Sequence, residues 1–229
     1  MNYFAHAMPW LDRSAYLIAG TAVPDWLAVC DRPLRMRRKL VALWLDSADP
    51  VQADVARGTM QHLVDDAAFH ETRAFAELNL ALIVQVRDFL DGERGFRPSL
   101  LGHLLVEVLL DAELVARHPA ELERYYQRLE EADPGEVQRA VVRMARGSTE
   151  RLAPFIMLFR RERVLSDYQE DAKLIRRLNQ VMRRVRCEPL PVEFSQLLPT
   201  MRRQVAARSE ELLDGIPAPV PSPSGRGLG

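Results

Sequence analysis

Apolar residues recur at the three- and four-residue spacing of amphipathic helices along almost the whole chain, and convincing strand alternation is absent from the sequence. This periodicity predicts an all-α fold. Breaks marked by proline or glycine are short, so we expect about eight to ten helices in a single compact domain over residues 1–214. Residues 215–229 are rich in proline, glycine and serine and are predicted to form a disordered tail.

Three predicted helices contain most of the residues that could carry chemistry. The first runs from about Leu34 to Asp46 and has a cluster of cations at its start. The second runs from about Val51 to His70, and a continuation to Phe89 would require a bend. The third follows Pro98 and extends to about Ala116.

Composition limits the classes of function that this chain can perform. The net charge of −1 gives no overall preference for nucleic acid or a membrane surface. No stretch approaches the roughly 18–20 apolar residues of a membrane span, so no stable membrane insertion is expected. The two cysteines form no CxxC motif, and the N-terminus lacks a signal-peptide pattern, which favours a cytoplasmic protein. Acids outnumber cations in residues 104–136 and cations outnumber acids in residues 160–208, so a basic surface for an acidic partner stays open.

The second predicted helix carries histidines and acids at four-residue intervals. His62, Asp66 and His70 occupy positions i, i+4 and i+8, so a helix places them in one stripe. Asp65 lies about one position around the helix from that stripe. Neutral imidazole and carboxylate groups are ligand types that suit Zn, Mn or Fe. The stripe therefore indicates a candidate metal site.

The third predicted helix repeats this arrangement in an almost wholly apolar segment. His103, Glu107 and Asp111 are four residues apart, and the residues between them are apolar. A helix that is apolar on nearly all sides is a buried one, and buried charges are costly unless they are paired or bound to a metal. A metal would satisfy this polar stripe, and a buried hydrogen-bond network of the same residues is the alternative.

Three phrases in the N-terminal part of the chain resemble a known family. The opening Met1–His6 is similar to the Met-Asn-Phe-Leu-Ala-His start typical of acyl carrier protein phosphodiesterases. Residues 20–26 resemble that family's Gly-Asn-x-x-x-Asp-Phe segment, and residues 58–66 resemble its Gly-Ile-x-x-His-Arg-x-Ile-Asp segment. The family is a divergent helical branch of the HD-domain metal-dependent phosphohydrolases, so the resemblance implies an HD-domain-like helical fold.

The chain departs from the family pattern at positions that bear on the site. Leu63 stands where the family has an arginine expected to contact phosphate. His70 replaces an acid, and His103 with Glu107 replaces a later pair of aspartates. Each changed acid position still carries a competent metal ligand, which implies an altered metal preference. The His-Asp dipeptide of the wider superfamily is also absent from the sequence.

The resemblance implies a metal-dependent hydrolase that acts on a phosphodiester, with one or two divalent ions of Mn, Fe, Zn or Mg activating water. Its substrate would be a phosphorylated small molecule or an acidic carrier protein. The expected metal ligands are His6, Asp25, His62, Asp66 and His103, followed by His70. Asp65 or Glu107 is the candidate general base. Arg35, Arg38 and Lys39 are the candidate phosphate-binding residues, although this basic run could equally face solvent.

Two other functions stay open at this point. A zinc-dependent phospholipase-C-like hydrolase would also suit helical histidines and the segment around Asp25. A non-catalytic helical protein could instead use the basic C-terminal half of the chain to bind an acidic partner. The sequence makes no prediction about oligomeric state.

Overall fold

The computed structural model describes residues 1–90, 95–214 and 216, and the regular secondary structure of these residues is entirely helical. The predicted all-α fold is therefore confirmed. The predicted tail, apart from Ile216, lies outside the described residues. Within the described residues, no helix is long and apolar enough to cross a membrane.

The α-helices vary from one turn to six turns in length, and short 3₁₀ turns connect several of them. In chain order they are α1 (Tyr3–Ala7), α2 (Ala15–Cys30), α3 (Arg38–Val41), α4 (Pro50–Glu71), α5 (Arg73–Phe89), α6 (Pro98–Arg117), α7 (Pro119–Glu131), α8 (Pro134–Met144), α9 (Leu152–Glu162), α10 (Asp171–Arg184), α11 (Leu198–Ala206) and α12 (Ser209–Leu213).

The long helix predicted from Val51 is present, and it ends where a bend was expected. The Asp49 carboxylate accepts hydrogen bonds from the backbone N–H groups of residues 51 and 52 and so caps α4. The next helix, α5, starts at once, because the Thr72 hydroxyl accepts a hydrogen bond of 3.1 Å from the Phe75 N–H.

The prediction of one helix over Leu34–Asp46 is wrong. Only α3 and a 3₁₀ turn, Ala42–Trp44, are helical in this range. Leu34 and Met36 are buried while Arg35 and Arg37 are exposed, which is the two-residue alternation of an extended segment. The cations at this point therefore precede or open a single helical turn.

The described residues divide into two compact units that interleave along the chain. The first unit contains residues 1–2, 69–90, 95–119 and 164–214, and the second contains residues 3–68, 120–163 and 216. The boundary between them along α4 falls after residue 68, so His62 belongs to the second unit and His70 to the first.

In the second unit, two glycines allow α2 and α4 to approach until their backbones touch. A Cβ atom added to Gly58 would lie 2.0 Å from the backbone oxygen of Leu17. A Cβ atom added to Gly20 would lie 2.6 Å from the backbone oxygen of Val55. Any larger residue would force the helices apart.

Aromatic side chains fill the core of the second unit around α2. Trp26 is fully buried, and its ring meets the ring of Phe159 from α9 edge-on at 5.6 Å. Tyr126 of α7 also contacts Phe159, with ring centroids 6.1 Å apart. The Gln52 side chain donates a hydrogen bond of 3.2 Å to the Ala140 carbonyl and so joins α4 to α8. These contacts fix α2 and α4, which carry the residues described below.

In the first unit, α6 is the central helix and contacts α5, α11 and the 3₁₀ turn over Val164–Gln169. A Cβ atom added to Gly102 would lie 2.5 Å from the Ile83 side chain of α5, so these helices are also closely packed. Most of α6 is buried, as its sequence predicts. The polar stripe is not buried throughout, however, because the His103 side chain is 40% exposed and the Glu107 side chain is 15% exposed.

Candidate metal centres

Six of the residues predicted to form the site fall into two groups of potential metal ligands. We call the group in the second unit, His6, Asp25 and His62, the His62 cluster. We call the group in the first unit, His70, His103 and Glu107, the Glu107 cluster. In each group, one ligand atom from every residue lies within 4.8 Å of those from the other two. Asp66 belongs to neither of these two groups among the described residues.

Pro24 prepares α2 to receive side chains from α4. A proline inside a helix has no N–H to donate to the carbonyl four residues earlier, which is that of Gly20. The Thr59 hydroxyl donates a hydrogen bond of 3.2 Å to this carbonyl instead. The next carbonyl, that of Thr21, lies 2.7 Å from Nδ1 of His62. The interrupted helix therefore provides acceptors that position α4 and the His62 ring.

The contact with Thr21 also sets which nitrogen of His62 can bind a metal. A carbonyl oxygen only accepts hydrogen bonds, so Nδ1 must carry the proton. In the neutral ring, Nε2 then carries the lone pair that could bind a metal. Nε2 faces Asp25, with 3.9 Å between it and Oδ1. Histidines that bind metals are commonly oriented in this way, by an N–H donated to a carbonyl from the other ring nitrogen.

His6 is the most enclosed member of the His62 cluster. Its side chain has no solvent exposure, and its ring stacks on that of His62 with centroids 3.9 Å apart. Nδ1 of His6 lies 3.5 Å from Oδ2 of Asp65, which is within the range of an ion pair and longer than a good hydrogen bond. The other Asp65 oxygen accepts a hydrogen bond of 2.6 Å from the side-chain amide of Gln61.

Burial raises the pKa of Asp65 to about 7, and the nearby Asp66 carboxylate acts in the same direction. The hydrogen bond from Gln61 partly offsets this rise by stabilising the ionised form. Asp65 is 2% exposed, and its raised pKa lets this buried carboxyl exchange its proton near neutral pH. Asp25, whose side chain is 28% exposed, is the member of the His62 cluster that solvent reaches.

The His62 cluster fits a divalent ion in both chemistry and dimensions. Two imidazoles and a carboxylate suit borderline ions such as zinc. Three atoms within 4.8 Å of one another share a point no more than about 2.8 Å from each, whereas zinc requires about 2.0–2.2 Å. Side-chain movements of somewhat less than 1 Å would therefore complete the coordination distances.

Of the three predicted phosphate-binding residues, Arg38 contacts α4. Its guanidinium donates a hydrogen bond to the backbone carbonyl of Leu63, the residue that follows His62. Arg35 and Lys39 are exposed. A guanidinium therefore stands beside position 63, although residue 63 itself is a leucine.

The Glu107 cluster is organised around one carboxylate oxygen. Oε1 of Glu107 lies 3.0 Å from Nε2 of His70 and 3.1 Å from Nε2 of His103. The amino group of Met1 donates a hydrogen bond of 3.2 Å to the same oxygen. Burial alone would raise the pKa of Glu107, but the amino group and the two histidines outweigh burial and hold the pKa well below its usual range.

Aromatic packing orients both histidines of the Glu107 cluster. The ring of Phe75 lies edge-on to His70 and to His103, with centroids 4.7 and 5.1 Å apart. The two imidazoles lie 4.6 Å from each other, and Phe69 contacts His70 at 5.5 Å. The two rings are thus held in place independently of any bound ion.

Sequence reasoning missed several residues that shape these clusters. Thr59 and the carbonyl of Thr21 could have been found from Pro24, because a proline in a helix predicts unsatisfied carbonyls nearby. Gln61 and Phe75 have no comparable signal, because their roles depend on how helices pack. The contact of Met1 with Glu107 joins residues 106 positions apart and is equally invisible to spacing rules.

Comparisons with protein-family models, curated proteins and solved structures found no match to this chain. The resemblance to acyl carrier protein phosphodiesterases therefore rests on the sequence phrases alone.

Proposed function

We propose that this protein is a divalent-metal-dependent hydrolase that holds its ion with His6, Asp25 and His62 and cleaves a phosphodiester. The observation that carries the proposal is the contact of His62 with the Thr21 carbonyl. This contact leaves the metal-binding nitrogen of a buried imidazole directed at a carboxylate. A divalent ion bound there would lower the pKa of a coordinated water and polarise a phosphoryl oxygen.

Asp65 is the better of the two candidate proton acceptors. Its pKa of about 7 lets it exchange a proton near neutral pH, and its Oδ2 faces His6. Glu107, by contrast, has a pKa well below the usual range and is a poor proton acceptor at neutral pH. Asp65 would also act as a positioning residue, because an Nδ1–H of His6 directed at it leaves Nε2 as the ligand.

Arg38 supports a phosphorylated substrate. Its guanidinium lies beside α4 at Leu63, next in sequence to a ligand of the proposed ion. Guanidinium groups bind phosphate oxygens through two parallel hydrogen bonds, so Arg38 could take the role of the arginine that the family resemblance places at position 63. The exposed Arg35 and Lys39 add positive charge that an acidic carrier protein would meet.

Metal content and hydrolysis of bis-p-nitrophenyl phosphate with Mn²⁺ test the proposal together. We expect His62→Ala and Asp25→Asn to lose both the ion of the His62 cluster and the activity. Arg38→Ala should keep the ion and raise KM. The matched control is Asp66→Asn, which removes an acid from the same helix but outside the His62 cluster and should keep the ion. A wild-type protein without activity, or full activity in His62→Ala, would contradict the proposal.

A further inference from the structure

A second set of imidazole and carboxylate groups lies outside the proposed hydrolytic site. It is the Glu107 cluster, and the function proposed above does not use it. From its geometry, we propose that His70, His103 and Glu107 form an independent, exchangeable zinc site with one open coordination position.

Two distances within the cluster are within a few tenths of an ångström of those between ligands of one ion. Zinc binds its nitrogen and oxygen ligands at about 2.0–2.2 Å, so tetrahedral ligand atoms lie about 3.3–3.6 Å from one another. Oε1 of Glu107 is 3.0 Å from the Nε2 atom of His70 and 3.1 Å from that of His103. An ion could replace the hydrogen bonds between these atoms with little movement of the side chains.

The ligand types select the class of ion. Two imidazoles with one carboxylate suit zinc and neighbouring transition metals, whereas Mg²⁺ and Ca²⁺ prefer oxygen ligands throughout. Zinc sites with three protein ligands normally keep a fourth position for water or another small ligand. In each neutral ring, the proton now directed at Glu107 from Nε2 would move to Nδ1, leaving Nε2 to bind the ion.

Packing and exposure indicate a rigid site that solvent reaches. Phe75 contacts both imidazoles and holds them side by side, so little ordering is required when an ion binds. The His70 and His103 side chains are 29% and 40% exposed. An ion can therefore enter and leave without unfolding of the surrounding helices, which makes the site exchangeable.

The proposal competes with a simpler one, in which the cluster is only a hydrogen-bond network. His103→Gln separates the two, because a glutamine amide can still donate to Glu107 but is a poor zinc ligand. The network would survive this substitution and the metal site would not. His70→Gln is the second variant, and His118→Ala removes a histidine that ends α6 outside the cluster.

The test is a titration of full-length, metal-stripped protein with Zn²⁺, followed by calorimetry, and with Co²⁺, followed by visible absorption. We expect two equivalents in the wild type and in His118→Ala, and one equivalent in His103→Gln, His70→Gln and His62→Ala. The zinc affinity of the substituted site should fall by more than the roughly 10–100-fold that substitution of an outer-shell residue costs. Circular dichroism checks that each variant is folded.

The outcomes distinguish this proposal from the function proposed above. Wild-type stoichiometry and affinity in His103→Gln would overturn the second site. A single wild-type equivalent that survives in His62→Ala and is lost in His103→Gln would support the second site and contradict the hydrolytic one. A single wild-type equivalent that survives in His103→Gln and is lost in His62→Ala would overturn the second site alone. A wild-type protein that binds no zinc would overturn both proposals.

Discussion

Replacing Asp65 with asparagine should stabilise the metal-free protein at alkaline pH. The folded chain holds this carboxyl with a pKa raised from 3.8 to about 7, so folding favours the protonated form. Its stabilising contribution is complete below the ordinary pKa and is lost as the pH rises from about 4 to about 7. The asparagine side chain would stay neutral throughout, and its oxygen could still accept the hydrogen bond from Gln61.

The size of this effect follows from the difference between the two pKa values. One pKa unit corresponds to about 1.4 kcal/mol, so the complete loss is about 4 kcal/mol. Between pH 5 and pH 8, the wild type should lose about 2–3 kcal/mol more unfolding free energy than Asp65→Asn.

Urea unfolding at a series of pH values, with a chelator present, measures this difference. Asp66→Asn leaves Asp65 in place and should retain most of the pH-dependent loss, so it controls for removal of a negative charge from α4. Parallel stability curves for the wild type and Asp65→Asn would show that folding does not raise the pKa of Asp65. The same variant should bind its metal roughly 10–100-fold more weakly, because it no longer offers His6 a carboxylate.

Three further predictions concern packing and charge. Gly58→Ala should lower the unfolding free energy by at least about 1–3 kcal/mol and weaken metal binding, because the added Cβ would lie 2.0 Å from the Leu17 oxygen. Thermal unfolding and metal titration measure the two effects. The control is Gly135→Ala, whose Cβ would lie no closer than 3.0 Å to any atom. Thr59→Val should lower the unfolding free energy by about 1–3 kcal/mol, because the Gly20 carbonyl loses the hydroxyl that donates to it. Unchanged urea unfolding would contradict that role. Glu107→Gln should remove an acid-labile part of the stability. The depressed pKa of Glu107 stabilises the fold fully above the ordinary value of 4.5, so the wild type should lose more stability than the variant as the pH falls below about 4.5, which urea unfolding at each pH measures.

The helical fold could be predicted from the sequence because hydrophobic periodicity reports directly on helices. The extended segment around Leu34 and Met36 was mistaken for a helix, since four residues of alternation are too few to separate the two patterns where a helix follows at once. Spacing along one helix also suggested that His62 and His70 serve a single site. Spacing shows which side chains share a face, but the partners come from other helices: His62 meets Asp25 of α2, and His70 meets Glu107 of α6.

The residue types of the candidate sites were predictable, whereas their grouping was not. Histidines and acids at four-residue intervals are rare enough to single out from sequence. Which of them converge depends on close approaches such as that between Gly20 and Gly58. The sequence contains these glycines without indicating what they contact. Asp65 shows the same limit, because its contact with His6 and its raised pKa both come from burial that spacing does not specify.

Anomalous X-ray diffraction from crystals grown with Zn²⁺ shows whether His6, Asp25 and His62 hold a metal ion. We predict an anomalous peak at the His62 cluster, within about 2.0–2.2 Å of Nε2 of His62, with Nδ1 still bonded to the Thr21 carbonyl. Crystals that contain zinc elsewhere, or none, while His6, Asp25 and His62 keep their positions without a peak between them, would contradict this prediction.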